Sequence, residues 1–171
     1  MDRIRLNRKG FTLVEILIVV IILGILAAIV IPQFTNASED ARKSSLTSQL
    51  QTLRSQVELY KLQHRDQWPT DDGTLAGEWQ WNRLTQKTDE DGTASSTGLF
   101  GPYLQSAPKN SLNGKSGMYI HNAELAFGDA FPGDAETDGW VITPSGKIFA
   151  ASKQGGFVYD EANPNAANNN N

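Results

Sequence analysis

Residues 10–32 read GFTLVEILIVVIILGILAAIVIP. From Ile16 to Ile31 every residue is apolar or glycine, and Phe11, Leu13 and Val14 extend the run towards the N-terminus. Thr12 and Glu15 are its polar exceptions. Phe11 to Ile31 is 21 residues, roughly 31 Å of helix at about 1.5 Å of rise per residue. That length matches the roughly 30 Å hydrocarbon core of a bilayer. A soluble surface helix carries a polar face, and this segment has none. Its Ile and Val content lowers intrinsic helix propensity. In lipid an unpaired backbone costs more than propensity can repay, so the run reads as a membrane-spanning helix.

Arg3, Arg5, Arg8 and Lys9 precede the run, opposed only by Asp2; Glu39 and Asp40 follow it, with Arg42 and Lys43 beyond. The positive-inside rule leaves the first ten residues in the cytoplasm and the remainder outside. A secretory signal peptide begins in the same way, and Ala27-Ala28 and Ala37-Ser38 are its candidate cleavage points. Against it stand a run longer than the usual roughly 7–15 apolar residues and a helical pattern that continues past the run.

Glu15 demands an explanation, because a carboxylate inside a membrane segment is costly and usually marks a function. The bland alternative is a side chain near the interface that reaches water, although Leu13 and Val14 precede it. No Lys or Arg stands at i+3 or i+4 within the run. Its cationic partner is therefore Arg8 or Lys9 folding back, or a group on another molecule.

Gly10-Phe11-Thr12-Leu13-Val14-Glu15 followed by the apolar run resembles the prepilin signature of type IV pilins and type II secretion pseudopilins. The resemblance is strongest over residues 8–34 and weaker through the helix that follows. It implies that a prepilin peptidase cuts between Gly10 and Phe11 and methylates the new amine of Phe11. It also implies that Glu15 pairs with the N-terminal amine of a neighbouring subunit. Carboxylate and ammonium are each costly alone in lipid, and pairing reduces the penalty.

The chain of 171 residues carries a net charge of −4, and the leader, four cations against Asp2, contributes +3, so its removal leaves about −7. About 130 residues then lie outside the membrane, enough for one small domain. No basic patch outside the membrane points to nucleic acid. There is no cysteine, so no disulfide forms in an oxidising compartment. Many adhesive or motility pilins clasp their C-terminal region with a disulfide, so its absence leans towards the major pseudopilin type.

Pro32 lacks a donor and clashes with the preceding turn, so it ends or kinks the helix. Asn36 to His64 contains no Pro or Gly, and Leu46, Leu50, Leu53, Val57 and Tyr60 form one apolar stripe. The reading is one helix from about Phe11 to about His64, bent near Pro32, with Gly24 as a second weak point. The stripe packs on a globular domain; a coiled-coil dimer is the rival, since the spacing suits it equally. Leu59 and Leu62 fall on the opposite side and suit another subunit.

The helix must stop before Pro69, and Asp72-Gly73 is a turn. Leu75 to Leu84 reads as a short helix carrying Trp79, Trp81 and Leu84, and Lys87 to Gly98 as an exposed polar loop. Leu99-Phe100-Gly101-Pro102-Tyr103-Leu104, with Ala107-Pro108 and Asn113-Gly114, resembles a segment of major pseudopilins that wraps over the helix. Met118-Tyr119-Ile120 is a strand candidate. Trp140 to Thr143 and Lys147 to Ala150, joined by Pro144-Ser145-Gly146, make the clearest hairpin. Phe157-Val158-Tyr159 is a candidate edge strand.

The expected fold class is α+β and type IV pilin-like, a long helix on a small antiparallel sheet with one face laid on the stripe. The expected organisation is a leader over 1–10, removed; a transmembrane or filament-core helix over 11–34; an amphipathic helix over 35–64; a loop and small sheet over 65–162; and a disordered Asn-rich tail over 163–171.

Asp129, Asp134, Glu136 and Asp138 stand close together among Gly and Pro. Hard oxygen ligands of this kind hold calcium, and major pseudopilins bind calcium in a loop near this point. The spacing departs from the family's loop and from the EF-hand, and a solvated acidic loop is the alternative. Catalysis has no support. There is no thiol nucleophile, His64 and His121 lack metal-ligand spacing, and no nucleophile elbow or phosphate loop occurs. His64 reads as helix surface or as part of the seam with the following loop.

The resemblance implies a structural subunit that waits in the inner membrane with its N-terminus cytoplasmic and its globular domain periplasmic. Its implied partners are the prepilin peptidase, an assembly ATPase and inner-membrane platform, minor pseudopilins, and copies of itself in a periplasm-spanning filament that drives protein export. Two alternatives remain at this point: a subunit of a surface type IV pilus, and a membrane-anchored binding module.

Overall fold

A computed structural model describes residues 10–69, 81–164, 166 and 169. The cations Arg3, Arg5, Arg8 and Lys9 of the expected leader, the expected turn at Asp72-Gly73 and Trp79 lie outside the described residues. The elements are α1 (Leu13–Gln63), α2 (Asn82–Thr85), β1 (Gly117–Ile120), β2 (Asp138–Ile142) and β3 (Ile148–Ala150). The chain divides into two compact units, one ending at Ala41 and the other beginning at Arg42.

The first unit is helix. α1 passes through Gly24 and Pro32 without interruption, so Pro32 does not end it. The missing proline N–H costs one helical hydrogen bond. Every described residue from Gly10 to Ser38 is exposed.

The second unit holds the core. The remainder of α1 buries Lys43, Leu46, Leu50, Leu53, Val57 and Tyr60. The expected stripe is therefore the packed face of the helix, and it meets Trp140, Ile142, Ile148, Ala150, Met118 and Tyr159. Packing on the domain, rather than a coiled coil, accounts for the 4-3 spacing. α1 stops at residues Arg65 and Asp66, both left-handed at φ 55° and 64°. The Asp66 N–H caps the Lys61 carbonyl at 3.1 Å, and Arg65 pairs with Glu90 at 2.7 Å.

The α+β class is as expected, and the sheet runs in the order β1-β2-β3. β2 and β3 form the expected antiparallel hairpin, with Trp140 opposite Ala150 and Ile142 opposite Ile148. β1 differs: it pairs with β2 in parallel. A parallel neighbour needs a connection of about a dozen residues or more, and the stretch from His121 to Thr137 supplies it. The pattern of β2 differs too. All five of its residues are buried, because Phe131, Val158 and Leu125 cover the face that the helix does not, around Val141 and Phe149. Phe157–Tyr159 makes isolated bridges to Ala130 and Ala151 rather than a full strand.

Three loops are better fastened than their composition suggests. Of the expected Leu75–Leu84 helix, residues 75–80 lie outside the described residues, and the α-helical part is Asn82–Thr85. The polar loop after it is pinned by fully buried Thr88, which bridges both Ala94 and Phe100. Buried Asn110 donates through Nδ2 to the carbonyls of Gly139 (2.9 Å) and Ala151 (2.8 Å). Gly139 is required there, since a Cβ would strike the Lys115 carbonyl. Within the tail expected to be disordered from Asn163, Asn169 is buried and hydrogen-bonded, while residues 165, 167, 168, 170 and 171 lie outside the described residues.

Candidate assembly site

The N-terminal end of α1 is built by four residues. Gly10 and Phe11 precede the helix and are exposed. A Cβ on Gly10 would meet nothing within 4 Å, and Phe11 is 81% exposed.

Thr12 is the N-cap of α1, and Glu15 stands at the third helical position. The Glu15 Oε2 accepts hydrogen bonds from the Thr12 N–H at 2.9 Å and from the Thr12 hydroxyl at 2.8 Å. In return, the Glu15 N–H donates to Thr12 Oγ1 at 3.2 Å. This is a capping box, which satisfies helix-end donors that have no partner along the helix. Thr12 stood in the sequence as a mere polar exception. The Thr-x-x-Glu spacing was the signal that identifies its role.

The arrangement holds the carboxylate at a fixed place on the first turn. A negative group here also complements the positive end of the helix dipole. Among the described residues no cation pairs with Glu15.

Behind this end, the large apolar side chains from Ile16 to Ile31 are 40–65% exposed. An uninterrupted apolar surface of this size marks a lipid or protein interface rather than a solvated face. α1 is the one helix among the described residues long and apolar enough to cross a membrane. Gly24, on the same run, has nothing within 4 Å of a built Cβ. Leu59 and Leu62, on the far side from the stripe, are 41% and 77% exposed.

The acidic loop does not gather its carboxylates. Asp129 Oδ2 accepts the Ala126 N–H at 2.8 Å, and Asp134 Oδ1 accepts the Glu136 N–H at 2.8 Å. Asp138 Oδ2 accepts the Asp134 N–H at 2.9 Å, while Glu136 lies exposed. No three acidic or histidine side chains among the described residues stand close enough to hold one ion. Calcium takes about six to eight oxygens, so the four residues do not fit it as they stand.

His64 is seam, not surface. It is fully buried and stacked on Tyr60 with ring centroids 3.8 Å apart. Its Nδ1 donates to the Tyr60 carbonyl at 2.7 Å, and its Nε2 meets the Thr88 hydroxyl at 2.8 Å. Burial raises the pKa of neighbouring Tyr103, whose hydroxyl donates to Gln63 at 2.6 Å. On the hairpin turn, the Ser145 hydroxyl and N–H hold the Glu124 carboxyl below its ordinary range, with Lys147 adding to the effect.

Comparison with known proteins places this end of the chain. Residues 5–31 match the family model described as the prokaryotic N-terminal methylation motif. The chain is 41% identical over 64 residues to the type II secretion system core protein G of Dickeya chrysanthemi, covering 37% of this chain and 41% of that protein. The core protein G of Pseudomonas aeruginosa is 40% identical over 58 residues, 34% of this chain and 41% of that protein. A fimbrial protein of Neisseria meningitidis is 35% identical over 99 residues, 58% of this chain and 48% of that protein. The chain thus spans about half the length or less of the curated relatives it matches. No solved structure matches it.

Proposed function

We propose that this chain, a relative of the type II secretion core proteins through its N-terminal region, is a structural subunit of a pseudopilus and not an enzyme. The observation that carries the reading is the exposed apolar length of α1, headed by a carboxylate fixed in a capping box. A side chain bound to Thr12 through Oε2 keeps a defined position from which to accept a cation of a second copy. The ammonium of a cleaved, methylated Phe11 is such a cation. Each charge alone is costly in lipid, and the pair is less so.

In this reading the precursor is anchored in the inner membrane by α1, with the globular part periplasmic. A prepilin peptidase cuts after Gly10. An ATPase and an inner-membrane platform then move each subunit into a filament whose core is made of α1 segments. The filament, with minor pseudopilins, drives export across the outer membrane. The calcium expected of a major pseudopilin has no part in this account, since the acidic loop does not offer its ligands together.

The test is assembly of Glu15 variants. Glu15→Leu is expected to insert and be cleaved normally, yet to lose filament yield in a cell that assembles the wild type. Normal yield from that variant contradicts the pairing. A second reading, a subunit of a surface filament, is favoured by one observation, the longer match to the Neisseria fimbrial protein. Long filaments on the cell surface, with exported enzymes unaffected by deletion, decide for it. Loss of exported enzymes decides for the pseudopilus.

A further inference from the structure

The C-terminal segment has no covalent fastening, because the chain lacks cysteine. The acidic loop before it spends its carboxylates on backbone amides. The segment is nonetheless held at two places. Arg54, on α1, donates through Nη1 (3.0 Å) and Nη2 to the two carboxylate oxygens of Glu161. The same guanidinium donates through Nε (3.2 Å) and Nη2 (2.8 Å) to the carbonyl of Ile148, the first residue of β3. One planar group thus ties together the helix, the sheet and the C-terminal segment. The Glu161 side chain is only 14% exposed, so water competes weakly for it.

Asn169 closes the other end. It is 1% exposed. Its Oδ1 accepts the Asp160 N–H at 2.7 Å, and its Nδ2 donates to the carbonyls of Asp160 (3.1 Å) and Asn163 (3.0 Å). Its own carbonyl accepts the Lys153 N–H at 3.2 Å. The Asp160 carboxylate in turn accepts the N–H groups of Ala162 and Asn163 at 3.0 and 3.1 Å. A primary amide has donors and an acceptor on one flat group, which lets Asn169 engage both the N–H and the carbonyl of Asp160.

We propose that Arg54, Glu161 and Asn169 form a metal-independent clasp that keeps the C-terminal segment on α1 and β3. Bidentate guanidinium–carboxylate pairing supplies direction as well as attraction. The partly buried pair is costly to break from one side, because the remaining charge loses its partner. Asn169 adds hydrogen bonds that leave no orphaned polar group in its buried place. The clasp rests on this geometry alone and stands whether or not the chain enters a filament.

Limited proteolysis of the full chain in detergent micelles, read by mass spectrometry, tests the clasp. Wild-type cleavage after Asp160 is expected to be equally slow in excess calcium chloride and in EDTA. Arg54→Met and Asn169→Ala are each expected to speed it about tenfold, since cleavage follows the population of the opened segment. Asp134→Asn is expected to leave it unchanged. Glu161→Gln preserves the Arg54 contact with Ile148 and so removes only the charged pair, which guards against general unfolding in Arg54→Met. Exposure of the segment by EDTA overturns the proposal, as does wild-type protection in Glu161→Gln together with Asn169→Ala.

Discussion

α1 is one continuous helix with two chemistries. Up to Ser38 its described side chains are all exposed, including an apolar run without a polar face. From Lys43 to Tyr60 it is less apolar, yet it buries six residues against its own domain. Burial therefore follows period rather than hydrophobicity. A stripe at 4-3 spacing matches one sheet face, and Ser, Gln, Arg and Lys fill the remaining faces. A helix apolar all round cannot be covered by one small sheet, and needs lipid or copies of itself on every side.

The sharpest way to break this contrast is truncation in each half. Leu50→Ala is expected to destabilise the globular unit by about 2–5 kcal/mol, since Leu50 is fully buried. Leu17→Ala, at a residue 53% exposed, is expected to leave thermal unfolding unchanged. Near-ultraviolet circular dichroism in detergent, reporting on Trp81 and Trp140, measures both. Equal losses would mean that the first half packs on the domain.

A charge reverses the roles. Ile22→Arg places a cation in the middle of the run, at a cost of about 2.5–3.5 kcal/mol for insertion. The expected result is loss of membrane retention on fractionation, with unfolding of the domain unaffected. Retention at the wild-type level contradicts a spanning segment.

Smaller effects sharpen the ends. Thr12→Ala removes the cap and is expected to cost the first turn about 1 kcal/mol, seen as faster hydrogen exchange at the Leu13–Ile16 amides with no change around Leu50. The smallest effect is the pH dependence of the hairpin turn. Glu124 has its pKa lowered by Ser145, so its contribution is present above the ordinary carboxylate pKa and disappears as pH falls through the lowered value. Glu124→Gln is expected to flatten slightly the fall in melting temperature as pH drops through and below the ordinary carboxylate range. An identical acid profile in the variant would show that the hydrogen bond to Ser145 adds nothing.

What the sequence made legible is what repeats. The apolar run, the Leu46–Tyr60 stripe and the Pro144-Ser145-Gly146 hairpin each carry a period or a turn signal, and the structure has them. The parallel entry of β1 was hidden, because strand direction depends on a long connection that has no period. The roles of Thr88, Asn110 and Asn169 were hidden too. Each is a polar residue buried by partners beyond its immediate neighbours, 24 to 41 residues away for Thr88 and Asn110 and six to nine for Asn169, and composition assigns such residues to loops. Asp129, Asp134, Glu136 and Asp138 stand close along the chain, yet among the described residues no three acidic or histidine side chains come together, because proximity along the chain does not by itself converge side chains. Glu15 was conspicuous, whereas Thr12 needed the capping-box spacing to be noticed.

The most direct measurement is the intact mass and N-terminal sequence of the protein recovered from native membranes. The expected result is a single species that begins at N-methylated Phe11, with Glu15 and the whole apolar run retained. A chain that begins beyond Ala27 would contradict it, since the run would then be a discarded signal. An intact leader in cells with active prepilin peptidase would contradict it as well, leaving an anchor without the processed end that Glu15 is placed to meet.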